Sequence, residues 1–368
     1  MRDTNRVVDL YLQRKEEREE KLKDFFDPKG STNFLIIPRM AHPLFTGCDT
    51  LDMIFSNNME YLEQQLSLDL CDDLPYLEPW IGSGVYAHAY GSRYLWGAGK
   101  APDTIHRYKS IEEVKGLEYP DYRNSSIMMM VLDAIDMLKE RTNGMIPISL
   151  TDTQSPQDTA TLVMDTTEFL IGMYTDPETI HELLTNITKL KIEFSHVQID
   201  HIGTERLAAP GHGFPGYPFL SGIGVSDDDM VFSSPDFNEQ FSFPYINKLS
   251  EEFGGVALHS CGNWVKSMPR LKNLKNLKMI DFALPGNLTD PNPIPCKEAH
   301  EVLKDLDCIL KVRPGNDIDL TIQDLQELLG VEDRDGGKQK IIVEFPHSGE
   351  GNSENYKIIS ETLNELYS

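Results

Sequence analysis

Short β-branched runs alternate with longer segments of helical period along most of the 368-residue chain. This is the pattern of parallel strands joined by crossover helices. Eight runs read as strands: 33–38 (NFLIIP), 74–78, 145–150 (MIPISL), 218–225, 255–259 (GVALH), 279–284 (MIDFAL), 308–312 (CILKV) and 340–345 (KIIVEF). The spacing of apolar residues predicts helices near 51–68, 126–141, 157–173, 177–201, 234–253, 265–277, 297–306, 321–329 and 354–366. Eight strand–helix units is the number that closes a barrel. The expected fold is therefore α/β, a single (β/α)8 TIM barrel over residues 33–368. The charged, amphipathic start MRDTNRVVDLYLQRKEEREE predicts an N-terminal helical extension over residues 1–32.

Composition narrows the setting. No apolar run approaches the length of a bilayer span, and the N-terminus has no apolar signal-peptide core, so a cytoplasmic protein is expected. The formal net charge of −25 repels phosphate backbones and anionic membrane surfaces. Nucleic acid and membranes are not expected partners; a small molecule is. The five cysteines, Cys48, Cys71, Cys261, Cys296 and Cys308, are odd in number and lack the spacing of a disulfide framework. Four read as buried small apolar residues; Cys261 stands apart.

In a barrel of this kind, chemistry sits where strands end. The polar residues just beyond the predicted strands are Arg39 and His42, Glu78, Asp152 and Gln154, Asp227 to Asp229, His259 with Cys261 and Asn263, Asp281, Arg313, and Glu344 with His347. The sharpest group is His259-Ser-Cys261-Gly-Asn263. Imidazole and thiolate are preferred zinc ligands, and residues two apart at a strand end point to one face. The alternative is a buried histidine bonded to a loop beside an inert cysteine. His347 lies beyond the last strand, at the same mouth; it reads either as the third ligand of a site with an open fourth position or as a loop histidine capping the final helix. Glu344 or Asp281 would supply a carboxylate ligand or a partner to the histidine. Asp152 reads either as an acid, base or orienter, or as a turn residue before a helix with Ser155 at its N-cap and Pro156 at N1. The Asp227–Asp229 run lacks the glycine and spaced carboxylates of a calcium loop and reads as a turn with one functional aspartate. The Gly/Pro-rich segment 209–216 is a candidate lid, and Trp80, Tyr86 and Tyr90 either line an apolar pocket or pack in the core.

The fragments TDTQSP, GVSDDD with SSPDFNEQFSFPYINKL, and FGGVALHSCGN, in this order, resemble the uroporphyrinogen decarboxylase superfamily from about residue 33 to the end. The resemblance favours its corrinoid-dependent methyltransferase branch. That branch implies a (β/α)8 barrel and a zinc motif of the form H-x-C followed much later by a Cys. His259 and Cys261 match the first two ligands, and His347 falls where the distal Cys belongs; no Cys follows Cys308. The decarboxylase branch implies an N-terminal arginine-rich segment, and here IIPRMAHPLF offers only Arg39.

The resemblance thus implies a zinc-dependent methyltransferase, with zinc on His259, Cys261 and His347, working with a corrinoid held by a separate protein. No D-x-H-x-x-G segment occurs in this chain. Asp152 with Gln154 would orient the substrate or manage its proton, and Glu78, Asp228 and Arg313 would line the pocket. Two competing expectations are a metal-independent decarboxylase of a tetrapyrrole-like or smaller carboxylate that uses Asp152, and a non-catalytic binding barrel.

Overall fold

The computed structural model describes residues 4–41, 43–330, 339–347 and 349–368; His42 lies outside them. Eight strands occur among these residues: β1 (Phe34–Arg39), β2 (Arg93–Leu95), β3 (Asp103–Ile105), β4 (Ile223–Ser226), β5 (Val256–His259), β6 (Leu277–Ala283), β7 (Ile309–Arg313) and β8 (Ile341–Pro346). Six of them form one parallel sheet in the order β1-β8-β7-β6-β5-β4. The other two, β2 and β3, form a small antiparallel hairpin that the sequence pattern does not announce.

The gap between β1 and β4 is where the predicted second and third strands belong. Both survive as single parallel bridges, Leu77 to Ile148 and Ile148 to Leu207. The cause is in the sequence: Pro75, Pro79 and Pro147 have no N–H to give to a ladder. Side chains take over. Asp72 accepts from Ile36 N–H at 2.7 Å, and Asn58 brackets Glu78 by bonding both its N–H (2.8 Å) and its C=O (3.0 Å). The predicted strand 218–225 is observed only from Ile223, where the chain has just passed Gly222 at φ 121°. The fold is a (β/α)8-type α/β barrel with one irregular side.

Most predicted helices lie close to where the apolar period puts them, with Leu51–Leu66, Ser126–Arg141 and Pro177–Ile202 as examples. The predicted 157–173 helix is two, Pro156–Val163 and Thr166–Thr175. Asp165 splits them by accepting from the N–H groups of Thr167 and Glu168, the usual action of an N-cap aspartate. Near 265–277 the chain makes only a 3-10 segment, Met268–Asn273. The helix Thr4–Phe26 lies against the barrel, and its buried Arg18 donates to the carbonyls of Asp73 (2.7 Å) and Leu68 (2.6 Å). Among the described residues no helix is long and apolar enough to cross a membrane.

Candidate active site

Strand register sets the first layer of the site. Ser226, His259, Asp281 and Lys311 are successive partners across β4, β5, β6 and β7, so His259, Asp281 and Lys311 meet at one level. Arg313, two residues beyond Lys311, points to the same face. Lys311 Nζ lies 3.1 Å from Asp281 Oδ2, and Arg313 Nε lies 2.9 Å from Asp281 Oδ1. Burial alone would raise the Asp281 carboxyl. The charges of Arg313 and Lys311, with His259, outweigh it and hold this group well below the usual range. An ionised carboxylate only accepts, so the 2.9 Å contact between His259 Nδ1 and Asp281 Oδ2 places a proton on Nδ1, and the tautomer it selects for the neutral ring has its lone pair on Nε2.

That lone pair faces two further donors. Cys261 Sγ lies 3.4 Å from His259 Nε2, and Asp228 Oδ1 lies 3.7 Å from it. The three ligand atoms fall within 4.8 Å of one another. Asp228 Oδ1 also accepts the Cys261 N–H at 2.6 Å. A second carboxylate positions it: Asp158 accepts the N–H groups of Asp228 (2.8 Å) and Asp229 (2.9 Å). The fully buried Asp227 accepts from Ser155 at 2.8 Å and from Ser242. The SDDD turn therefore has two structural aspartates, with Asp228 alone turned to the histidine and the thiol. Burial, Asp228 and Asp290 push the Cys261 thiol up to about 11, against Arg313; a bound metal ion would supply the charge that deprotonates it.

The other wall carries Asp152. Its Oδ1 lies 2.8 Å from His212 Nδ1 and its Oδ2 accepts from Gln154 Nε2 at 2.8 Å. Burial would raise Asp152, but the hydrogen bond and charge of His212, helped by Gln154, hold it down. His212 is raised in turn, Asp152 outweighing burial. Burial pushes Glu78 up to about 7 against the pull of His212, and Asp152 adds to the rise. The His212 and His259 rings are 5.7 Å apart between centroids, so this wall adjoins the His–Cys–Asp group. Ser155 caps the next helix by accepting from Asp158 N–H at 2.9 Å, with Pro156 at its first position.

Both walls border one cavity of about 720 Å³. Tyr76, Trp80 and Phe45 line it, whereas Tyr86 and Tyr90 are buried in the core. At the floor Arg39 pairs with Asp73 (3.1 Å) and Glu344 (2.9 Å), and also reaches Tyr61. Glu344 pairs in addition with Lys311 at 3.0 Å. Arg313, Asp281 and Glu344 thus serve as charge partners around the histidine.

Of the residues singled out from the sequence, Glu78, Asp152, Gln154, Asp228, His259 and Arg313 share this cavity, and Cys261 adjoins it through His259 and Asp228. His347 is not brought to the group. β8 ends at Pro346, the His347 N–H still pairs with Arg39 C=O at 3.0 Å, and the ring turns to its own loop, where Nδ1 accepts from Gly349 N–H at 3.2 Å. Its place beside His259 and Cys261 is taken by Asp228. Sequence reasoning also missed His212 and Lys311. His212 sits at φ 52° between two glycines in the segment read as a lid. That segment is tied to the barrel, since Gly224 N–H donates to Pro210 C=O at 2.7 Å. Lys311 had a signal: a lysine inside the apolar run CILKV.

A model of the uroporphyrinogen decarboxylase (URO-D) family matches residues 83–204, a stretch that includes Asp152 and Gln154 and stops before His259. No curated protein matches the sequence. Among solved structures, the chain is similar in fold to a methyltransferase from Methanosarcina mazei, with a TM-score of 0.64 and 15% sequence identity over 95% of this chain and 98% of that one.

Proposed function

We propose that the chain is a member of the uroporphyrinogen decarboxylase superfamily and, within it, a zinc-dependent methyltransferase that moves a methyl group between a small methylated substrate or acceptor and the cobalt of a corrinoid carried by a separate protein. One observation carries the reading: His259 Nε2, Cys261 Sγ and Asp228 Oδ1 converge, and Asp281 fixes the imidazole tautomer that leaves Nε2 able to coordinate. One imidazole, one thiolate and one carboxylate with an open fourth position is a donor set suited to catalytic zinc. A carboxylate behind the ligating histidine is its common companion. Zinc held there would act as a Lewis acid on the heteroatom of the methyl donor, or would lower the pKa of a thiol acceptor.

The chain's own groups do the rest. Lys311 and Arg313 keep Asp281 ionised, and Asp281 orients His259. Asp152 and His212, joined at 2.8 Å, hold or return a proton at the substrate heteroatom, with Gln154 fixing the carboxylate. Tyr76 and Trp80 give the cavity an apolar side. The corrinoid partner would dock over the mouth, where Phe45 is 54% exposed.

The test is zinc content per chain for wild type and for His259→Ala, Cys261→Ala, Asp228→Ala and His347→Ala. The expected result is about one zinc in wild type and in His347→Ala, with loss in the other three. No zinc in the wild type after reconstitution would sink the metal mechanism. The competing reading is a metal-independent decarboxylase with Asp152 handling the proton, and the family match over Asp152 favours it. It requires cations for the substrate carboxylates, yet Arg39, Lys311 and Arg313 already pair with Asp73, Glu344 and Asp281, and among their nitrogens Arg313 Nη2 is the one buried without a hydrogen-bond partner among the described residues.

A further inference from the structure

We propose that the cavity selects a substrate bearing an ammonium group, held between Glu78 and the Trp80–Phe45 pair, with its reacting heteroatom at the His259–Cys261–Asp228 group. The proposal rests on the metal reading above and adds the substrate class to it.

Charge is the first argument. Three cations face the cavity, Arg39, Lys311 and Arg313, and each is paired with Asp73, Glu344 or Asp281. Three further carboxylates remain, Glu78, Asp152 and Asp228. Asp152 has His212. Zinc would be balanced by the Cys261 thiolate and Asp228. Glu78 is left: among the described residues no lysine, arginine or histidine forms an ion pair with it, its carboxyl accepts from the Gly213 N–H, and the largest cationic influence on it is His212, with Arg39 smaller. A carboxyl left without a countercharge in a half-closed cavity is costly when ionised. A cationic ligand removes that cost, and an anionic one adds to it.

Geometry is the second. Trp80 lies two residues from Glu78, and its ring meets Phe45 edge to face at 4.9 Å. Aromatic faces attract ammonium groups, and do so more strongly when water is excluded. Glu78 and Trp80 line the same cavity as Asp152, His212, Asp228 and His259, and the His212 ring is 5.7 Å from that of His259. A small amine with a thiol, ether or second amine a few bonds away spans the cavity. The net charge of −25 draws such cations to the mouth.

Three thiols of similar size and different tail charge test this: cysteamine, 2-mercaptoethanol and 3-mercaptopropionate, titrated calorimetrically into the zinc-loaded chain and into its Glu78→Gln variant. Cysteamine is expected to bind about tenfold more tightly than 3-mercaptopropionate, with 2-mercaptoethanol between, and Glu78→Gln should shrink the gap to about threefold or less. Equal or tighter binding of 3-mercaptopropionate overturns the proposal and leaves the metal site standing. Should no thiol bind the zinc-loaded chain, the metal reading is what fails. Tetramethylammonium against tert-butanol then decides the matter without a metal: a preference for the cation that Glu78→Gln abolishes supports the proposal, and no preference overturns it.

Discussion

Glu78 holds its proton in the fold up to about pH 7, against 4.5 for the free side chain, because burial outweighs His212. Between those values the folded chain binds more protons than the unfolded one. Stability from this group is therefore fully present below pH 4.5 and is lost as pH rises through 7. Glu78→Gln should abolish the loss: the variant is expected to exceed wild type by about 2 kcal/mol near pH 8 and to match it near pH 4.5 in urea melts. A difference that does not grow with pH would mean that Glu78 is not buried as an acid. Single residues also show how far the site was legible. His259 and Cys261 were legible as a pair because residues two apart at a strand end face one way, although the same spacing also suits a buried histidine beside an inert cysteine. Asp228 was visible only as one of three neighbouring aspartates, and what separates it from Asp227 is a contact with Ser155, more than seventy positions away. His212 was hidden because its meaning depends on Asp152, sixty residues earlier.

Proline explains most of what the apolar pattern misjudged among the elements. Runs 74–78 and 145–150 have the composition of strands, but Pro75, Pro79 and Pro147 reduce them to isolated bridges. The regular half, β5 to β8, was legible because its runs are bounded by clear turns and carry no internal proline before Pro346. Helix Pro177–Ile202 shows a different departure from pattern. Its Lys191 is 0% exposed, has no hydrogen-bond partner among the described residues, and lies 3.8 Å from the Tyr86 ring centroid. Burial lowers this amine to about 7 from 10.5, with Asp152 and Asp158 opposing. The folded chain thus binds fewer protons than the unfolded one across that window, so stability from Lys191 is present above 10.5 and lost as pH falls through 7. Lys191→Met keeps the length of the side chain and removes the charge. It should raise stability near pH 7 by about 1–3 kcal/mol in denaturant unfolding. A loss of stability would instead show that Tyr86 and the two aspartates hold the ammonium favourably, giving the helix an electrostatic role toward Asp152.

The molecule as a whole is built on two kinds of closure. From β4 round to β1 the sheet is a continuous parallel ladder. On the remaining side, bridges through Leu77, Ile148 and Leu207 are supplemented by side chains: Asp72 to Ile36, Asn58 to Glu78, Gln198 to Thr151 at 2.8 Å, and Thr151 to the Pro79 carbonyl at 2.8 Å. A ladder opens cooperatively, whereas a bridge held by one side chain opens alone. The residues on the irregular side are those of the Glu78 and Asp152 wall, while the His259–Asp281–Lys311 row stands on the ladder. The half that carries His259 and Asp281 should therefore be rigid and the half that carries Glu78 and Asp152 able to yield. Native-state hydrogen exchange measures this directly. Amides of Leu258, Ile280, Val312 and Val343 are expected to exchange only through global unfolding, and those of Leu77, Ile148 and Thr151 through local opening about 2 kcal/mol or more easier. An Asn58→Ala variant should widen that gap by freeing the Glu78 backbone. Uniform protection across both sets would show that the bridges fold and unfold with the ladder. The cavity would then be rigid on every side, and substrate entry would have to come from motion at the mouth rather than from the wall that carries Asp152.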